Sequence, residues 1–409
     1  MTEEKLRALL DEVAKENKYS DYSVEITPIS TGGANYTSKL FQATISAPNF
    51  DDLKLFAKVI NISEEMRNMA GDKNIFETEL YFYTVLNKVY EALQTKHRVQ
   101  EEHKLMVPKF YKSNTKRSEE ILVLEDLTAK GFSTYNRMTS ITWEYAAAAV
   151  SQLAKFHALS FAYKHENPEE FAAVVENFPF LMGDQETGDV FLEKALIATQ
   201  QVLKDEYKER LTKFFNEKNR TMQLTEFYKM YKSNVLTHVD YRQRGVKYSI
   251  VCLILFLGHF CCTFSNTITD VPDGKLQIIP VDYQTICAGS PVADLLYFIF
   301  SGSDGQFRKY HYANLIEYYY NELTASLRRL DIDIKDVYPK EDYTNDLKLL
   351  EVYGLIMSVM LLPIVCVDTE NAPNMGEDSS FSEMNLVPSE EYRRRINDAV
   401  EDYIRWGLL

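Results

Sequence analysis

The chain has 409 residues, more than the roughly 250 to 300 that one hydrophobic core usually supports, so we expect two lobes or domains. Hydrophobic residues make up 45% of it, with only 15 Gly and 12 Pro, which excludes a disordered or fibrous chain. Its 45 basic and 60 acidic side chains give a net charge of −15, which repels nucleic-acid phosphates and anionic lipid. We therefore expect a globular protein with no nucleic-acid partner and no stable membrane insertion.

The cysteines and the N-terminal segment indicate where the protein works. Five cysteines are too few for a disulfide framework in a chain of this length, and none of them forms a C-x-x-C metal motif. Leu6, Leu9, Leu10 and Val13 follow one another at helical spacing among charged residues, unlike the continuous apolar stretch of a signal peptide. We predict an amphipathic N-terminal helix and a cytosolic protein.

The first third of the chain reads mainly as strands. Runs of β-type residues predict strands at 22–29, 40–45, 53–60 and 121–127, with a glycine-containing turn at 30–35. Apolar residues at helical spacing predict one helix over 74–93. This part of the chain is therefore predicted to be a β-sheet with a single crossing helix.

Helical patterns dominate from Thr142 onward. One further strand pair is predicted at 275–284, a polar surface loop at 368–385, and a final helix from Pro388. The predicted fold class is α+β, with a small β-rich N-terminal lobe at residues 1–126. A larger helical C-terminal lobe is predicted at residues 127–409.

The chain contains a candidate for each part that phosphoryl transfer needs, in the order a kinase requires. These parts are a backbone loop over the phosphates, a lysine held by a glutamate, a positioning acid and metal ligands. Gly32, Gly33 and Asn35 lie in the turn between two strands, where glycines let backbone N–H groups approach a phosphate. An ordinary hairpin turn explains the same residues equally simply.

Lys58 ends an apolar strand, from which its ammonium could reach phosphate oxygens. Glu79, on the following helix, could pair with it. A solvated lysine and a surface carboxylate are the alternatives. The strand that ends at Glu125 to Leu127 could present backbone groups to an adenine edge, or could simply be a buried strand that ends in a turn.

Three acidic residues strengthen the phosphotransferase interpretation. Asp240 follows a helix in THVDYR, Asp282 closes a strand in IPVDYQ, and Asp294 opens a helix in SPVADLL. A buried carboxylate at a strand end is costly unless it is paired, for example with a metal ion. Asp282 is therefore the candidate Mg²⁺ ligand, and Asp240 is the candidate catalytic base.

Taken in order, these segments resemble a known family. The segments are STGGANYTS, AKV, FETELYFY, LVLEDLTAKGF, LAKFHALS, HVDYR, PVDYQ and GSPVADLLYF, over about residues 25 to 330. The set resembles the ecdysteroid-kinase-like family, a largely insect group within the choline-kinase and aminoglycoside-phosphotransferase branch of the protein-kinase-like fold. The resemblance implies a bilobal kinase that uses ATP and Mg²⁺ to phosphorylate a hydroxyl group.

The resemblance also implies a role for each candidate residue and a class of partner. Lys58 would bind phosphates, Glu79 would hold Lys58, Glu125 to Leu127 would contact adenine, and Asp240 would be the base. Asp282 would bind Mg²⁺, and Asp294 would support the catalytic loop. The expected partner is a small-molecule alcohol, steroid-like or xenobiotic, and the expected state is a monomer.

The catalytic segment departs from the family pattern HGDxWxNN, whose second Asn binds Mg²⁺ five positions after the Asp. Gly245 stands at that distance here, and Asn266 follows Asp240 by 26 positions, which leaves 21 extra residues. Removing 245–265 or 244–264 places Asn266 at the family's spacing, so Asn266 is the second predicted metal ligand. Val239 also replaces the family's usual Gly, and Arg242 stands where Trp is common.

The extra run is compositionally foreign to the chain. Residues 241–269 contain no Asp or Glu, and 250–257 is an uninterrupted apolar stretch that is too short to span a membrane. Two origins remain open: a retained intron of 63 nucleotides, or a genuine insertion that forms an apolar hairpin. Because the extra run interrupts the predicted catalytic segment, an alternative function also remains open, that of a catalytically impaired pseudokinase or ligand-binding protein.

Overall fold

The structure is a computed structural model that describes residues 2–29, 38–60, 75–178, 185–217, 235–242, 262–264, 276–368 and 386–409. The strands are β1 (Ser23–Pro28), β2 (Ser38–Ser46), β3 (Leu53–Ile60), β4 (Phe110–Asn114), β5 (Ile121–Glu125), β6 (Ser133–Thr134), β7 (Val235–Thr237), β8 (Cys262–Phe264), β9 (Ile278–Pro280) and β10 (Cys287–Gly289). The helices before β7 are α1 (Thr2–Glu16), α2 (Ile75–Tyr81), α3 (Asn87–Lys96), α4 (Trp143–Glu166), α5 (Pro168–Asn177), α6 (Gln185–Val202) and α7 (Asp205–Glu217). Those after β10 are α8 (Pro291–Gly302), α9 (Gly305–Arg329), α10 (Ile334–Val337), α11 (Lys340–Leu349), α12 (Tyr353–Val365) and α13 (Glu390–Arg405).

The N-terminal strands form one antiparallel sheet in the order β1-β2-β3-β5-β4. Successive side chains of a strand point to opposite faces, so Leu55, Ala57 and Val59 of β3 pack on one face with α1. Lys58 points to the other face, and its register partner in β5 is Leu122. Leu122 belongs to the main core that the sheet shares with the helices. The alternation of β3 therefore places a lysine inside the molecule.

α2 and α3 form one helical rod across this inner face of the sheet. A π-helical turn at Phe82–Leu86 joins them, and Phe82, Tyr83 and Leu86 are buried in it. Tyr90 and Leu93 continue the buried stripe into α3. The rod therefore has an apolar side against the core, and Glu79 lies in α2, ahead of the π turn.

The C-terminal part is built on long buried helices. α4 is alanine-rich and buries most of its length, which allows α9 to pack closely along it. α12 is apolar on all sides and is buried throughout, as expected for a helix in the centre of a domain. Two small sheets, β10-β7 and β6-β8-β9, hold the loops that carry the predicted acids.

The α+β fold class is confirmed, with an antiparallel sheet near the N-terminus and mostly helices after it. α1 forms with Leu6 and Leu10 fully buried, as predicted. The strand pair expected at 275–284 is wrong in part, because within the described residues 276–284 only Ile278–Pro280 is a strand, and it pairs with β8. The strand ends at Pro280, and two residues later Asp282 has a positive φ.

Two predicted segments and one boundary are not tested by this fold. The turn at 30–35 and, apart from Asp368, the polar segment at 368–385 lie outside the described residues. The lobe boundary after residue 126 stays a prediction. In the described ranges, no single helix has the length and apolar character to cross a bilayer, although α11 and α12 meet both criteria as a pair bent by 56°.

Gly354 provides a test of the packing around α12. A Cβ there would lie 2.8 Å from the Tyr403 hydroxyl and still closer to the Phe300 ring. We expect Gly354→Ala to lower the free energy of unfolding by about 1–3 kcal/mol, because overpacking of a dense core outweighs the better helix propensity of alanine. Urea denaturation measures this change. Ser358→Ala, which removes an atom from the same helix, is the control, and an equally stable Gly354→Ala would contradict the packing described here.

Candidate active site

Lys58 is the centre of the site. Its ammonium donates to Glu79 Oε2 at 2.7 Å, to Asp282 Oδ1 at 2.7 Å and to Gln284 Oε1 at 3.0 Å. All four side chains are buried. They come from β3, from α2 and from the turn after β9, so one cation joins the N-terminal sheet to the C-terminal part of the chain.

The charges at this centre do not cancel. One ammonium faces the carboxylates of Glu79 and Asp282. The second oxygen of Asp282, Oδ2, is buried and has no hydrogen-bond partner among the described residues. A buried carboxylate oxygen without a donor is costly, and an oxygen of this kind is the ligand that Mg²⁺ prefers. The site therefore fits a divalent cation at Asp282 Oδ2.

The protein supplies few ligands of its own to such a cation. Within the described ranges, no group of three or more His, Cys, Asp or Glu side chains is arranged to hold a metal ion. Mg²⁺ is commonly held by one or two carboxylates, with substrate phosphates and water completing its shell. The arrangement at Asp282 matches that pattern and does not match a metal cage made only of protein groups.

The loop at 238–242 is held by Asp294 of α8. The Asp294 carboxylate accepts the backbone N–H of His238 at 2.6 Å and that of Val239 at 2.7 Å. Its Oδ2 also lies 3.1 Å from Nε2 of His157, whose Nδ1 lies 2.7 Å from the Tyr319 hydroxyl. These contacts hold the loop at 238–242 in place, as the family resemblance implies for Asp294, and they explain His157 as a buried, hydrogen-bonded histidine.

Two hydrogen bonds connect the loop of Asp240 with the turn of Asp282. His238 Nε2 lies 3.2 Å from the Val281 carbonyl, and the Thr285 hydroxyl donates to the His238 carbonyl at 2.8 Å. Burial is the main cause that lowers the pKa of His238 to about 4, so this imidazole is neutral at pH 7 and can donate or accept but carries no charge. The two predicted acidic segments therefore lie side by side.

Asp240 is fully buried and is contacted on both carboxylate oxygens. The Tyr297 hydroxyl donates to Oδ1 at 2.5 Å, Arg242 Nε lies 3.0 Å from Oδ1, and Arg242 Nη2 donates to Oδ2 at 3.4 Å. Burial raises the pKa of Asp240 well above its usual value, while the charge of Arg242 and the Tyr297 hydrogen bond act to lower it. Burial also raises the pKa of Tyr297, which keeps this hydroxyl protonated as a donor.

The segment predicted to contact adenine begins at Glu125, the last residue of β5. The Glu125 N–H donates to the Lys109 carbonyl at 2.8 Å, and the Asp126 N–H donates to the Lys54 carbonyl at 3.2 Å. The Asp126 carboxylate accepts from the backbone N–H of Thr128 at 2.9 Å and from the Gln42 amide at 3.1 Å, which fixes this turn to β2. The backbone donors of Glu125 and Asp126 are thus already used within the protein.

The structure brings Lys58, Glu79 and Asp282 into direct contact and places Asp240 on the adjoining loop. Four other predicted site residues, Gly32, Gly33, Asn35 and Asn266, lie outside the described residues. Of the extra run at 245–265, only Cys262–Phe264 is described, as β8, which pairs with β6 and β9.

Sequence reasoning assigned no role to Gln284 or Tyr297, although both contact predicted site residues. Gln284 follows Asp282 by two positions in PVDYQ, and this proximity in sequence could have identified it as a site residue. Tyr297 lies in an apolar helix where a tyrosine is indistinguishable from core, and only its contact with Asp240 identifies it.

Two residues of the site have an unusual backbone. Val239 has a φ of 71° and Asp282 a φ of 68°. A positive φ is uncommon outside Gly, Asn and Asp, and for a β-branched residue it is strained by about 1–2 kcal/mol. Val239 occupies the position where the family usually has Gly, so the loop keeps its left-handed conformation without the residue that favours it.

The strain at Val239 can be measured by two substitutions. Val239→Ala removes buried methyl groups but keeps the unfavourable φ, whereas Val239→Gly also relieves the strain. We expect Val239→Gly to be more stable than Val239→Ala by about 1 kcal/mol in urea denaturation. At Val235, a buried residue of β7 without positive φ, the same pair is the control and should show the usual order, with alanine the more stable. If Val239→Ala were instead more stable than Val239→Gly, the loop would be unstrained.

The sequence of the chain is similar to one known family. The sequence profile of the ecdysteroid kinase-like family matches residues 32–332. No curated protein sequence matches the chain. Among solved structures, the GDP complex of wild-type aminoglycoside 2'-phosphotransferase-IIIa is similar, with a TM-score of 0.37 and 12% identity, over 86% of this chain and 98% of that chain. A structural similarity this weak does not establish a shared fold or function.

The family match covers most of the chain, including the residues of the site. It supports a kinase-like phosphotransferase that acts on small molecules. The chain belongs to the ecdysteroid kinase-like family.

Proposed function

We propose that this protein is an ATP-dependent kinase that transfers the γ-phosphoryl group to a hydroxyl of a small molecule. The observation that carries the proposal is the Lys58 ammonium, fixed by Glu79 and facing Asp282, whose second oxygen is unpartnered among the described residues. The family resemblance favours a steroid-like or xenobiotic alcohol as the acceptor.

The nucleotide would bind between the sheet and the turn of Asp282. Lys58 would exchange its contact with Asp282 for phosphate oxygens while Glu79 keeps it in place. The backbone N–H groups of Glu125 and Asp126 already donate hydrogen bonds within the protein. Leu127 is therefore the residue of this segment that would hydrogen-bond to the adenine edge. Gly32, Gly33 and Asn35 keep their predicted role over the phosphates, and they lie outside the described residues.

Magnesium would be held by Asp282 Oδ2, with Asn266, outside the described residues, as the second predicted ligand. When bound, the ion would neutralise charge on the phosphates as the γ-phosphoryl group leaves. Lys58 would contribute a second positive charge to the same oxygens. In this reaction positioning and electrostatic stabilisation supply most of the catalysis.

Asp240 would orient the acceptor and take its proton. The acceptor oxygen forms a bond to the γ-phosphorus, the bond from that phosphorus to the bridging oxygen breaks, and the hydroxyl proton passes to a carboxylate oxygen of Asp240. ADP leaves with the electrons of the broken bond. Because Arg242 contacts both oxygens of Asp240, its side chain must turn away from Oδ2 before an acceptor hydroxyl can reach it.

A second candidate function is a pseudokinase or ligand-binding protein. The observation that favours it is the complete burial of Asp240 beneath Tyr297 and Arg242. Mg²⁺-dependent ATP hydrolysis distinguishes the two functions when it is measured on the full chain and on a chain lacking 245–265. Nucleotide binding without turnover in both forms would support the pseudokinase and would contradict the kinase.

The kinase assignment makes a prediction for the two acids. Asp240→Asn and Asp282→Asn should each lower Mg²⁺-dependent ATP turnover by about 10²-fold or more, because one removes the base and the other a charged metal ligand. Asp240→Asn should retain nucleotide binding, measured by isothermal titration calorimetry. Asp336→Asn, at an exposed position of α10, is the control and should retain full activity. Wild-type turnover in either site variant would contradict the assignment.

Arg242 makes a prediction about pH. The base must be deprotonated, and Arg242 lowers the pKa of Asp240. Arg242→Gln should therefore raise that pKa and shift the acidic limb of the kcat/KM profile upward by about one pH unit. The exposed Arg393→Gln is the control. An unchanged acidic limb would show that Arg242 does not face the base in the working enzyme.

A further inference from the structure

A small cleft lies away from the candidate active site, among α3, α4, α9 and the turn at Glu101–His103. Its lining includes Lys155 of α4, Ser326 and Arg329 of α9, and His103 of the turn. The empty space, open mouth included, is about 240 Å³, but the enclosed part has room for only about one water-sized group. The cleft can therefore admit a small group and cannot enclose a large molecule.

The cleft is positively charged although the chain as a whole is acidic. Lys155 is buried, and its ammonium donates only to the backbone carbonyls of Glu102 at 3.4 Å and Lys104 at 3.2 Å. Among the described residues, no carboxylate lies within ion-pair distance of Lys155 or of Arg329, and these two cations repel each other. Buried charges are normally paired, and the carboxylate that acts on Lys155, Glu322, does so without direct contact and accepts the Ser151 hydroxyl. The buried Lys155 ammonium therefore has no direct ion-pair partner among the described residues.

An unused hydrogen-bond donor lies in the same wall. The Ser326 hydroxyl is buried and has no hydrogen-bond partner within the described ranges. Buried polar groups without a partner are rare in native proteins, and a bound ion or water molecule often satisfies them. Lys155, Arg329 and Ser326 all supply donors, which is the chemistry that binds an oxyanion.

From these residues we propose that the cleft is a binding site for a tetrahedral oxyanion, a phosphate-class group held by Lys155, Arg329 and Ser326. The enclosed part has room for one of its oxygens, while the rest stays in the open mouth. The same chemistry is offered by free inorganic phosphate and by the terminal phosphate of a phosphomonoester. The site would join α4 to α9, the helices that carry His157 and Tyr319.

The site should respond to pH through Lys155. Burial and, secondly, the charge of Arg329 lower the pKa of Lys155 to about 8. The charged or titratable groups that face it are Arg329 and Glu322 of α9, the latter accepting the Ser151 hydroxyl, and His103 of the turn. An anion favours the protonated ammonium, so its affinity should fall as the pH rises through about 8.

The test uses the full chain and sulfate as the probe, since sulfate does not titrate in this range. Isothermal titration calorimetry, at ionic strength fixed with chloride, should show saturable binding at pH 7 that weakens toward pH 9. Arg329→Gln should lower the affinity about tenfold, by the loss of one charge-assisted contact. Arg328→Gln, the adjacent exposed arginine of α9, is the matched control and should leave the affinity unchanged.

One further arm completes the experiment. Equal affinity in Arg328→Gln and Arg329→Gln would place the anion elsewhere, such as at Lys58, and would overturn the proposal. No saturable binding by the wild type would also overturn it. If inorganic phosphate competes with sulfate and glycerol 3-phosphate does not, the ligand of the cleft is the free anion. If glycerol 3-phosphate also competes, the cleft binds phosphomonoesters as well.

Discussion

One buried ammonium sets the arrangement of the molecule. Lys58 is enclosed by Glu79 and Asp282, which belong to segments more than 200 positions apart in the sequence. Two buried carboxylates cannot remain close together without a cation, and a buried ammonium cannot remain without acceptors. The sheet, the rod of α2 and α3, and the turn after β9 must therefore meet at this point.

The loop at 238–242 depends on a second buried carboxylate with a different role. Asp294 lies beside a histidine and uses its oxygens to fix the backbone N–H groups of His238 and Val239. Backbone groups held in this way keep a strained φ that the sequence alone would not favour. The helices α4, α8 and α9 thus determine where Asp240 stands, while Lys58 determines where Asp282 stands.

Periodicity predicted most of the N-terminal elements but missed β4, and where a helix was expected directly before Asp240 the structure has β7. It was not enough to predict contacts between elements. The alternation in β3 and the strand-end position of Asp282 are local patterns, and both indicated residues that meet in the structure. The pairing of Cys262–Phe264 with Ile278–Pro280 joins a foreign segment to a familiar one, and no local pattern contains that information. Tyr297 was identified only because folding placed it against Asp240. The contacts of Gln284 with Lys58 and of Arg242 with Asp240 likewise came from the fold and not from the sequence.

The π turn at Phe82–Leu86 has a consequence for how this protein can vary in length. A π turn accommodates one residue more than an α-helix would, and one residue corresponds to a rotation of about 100°. Beyond it the rod is anchored by Gln94, which accepts the Leu105 N–H, and by His97, which contacts Glu166. Loss of a single codon within the turn would therefore restore a regular α-helix with Glu79 and Tyr90 still facing the core. The same loss within α2 or α3 would instead rotate Glu79 by about 100° relative to the anchored end of the rod.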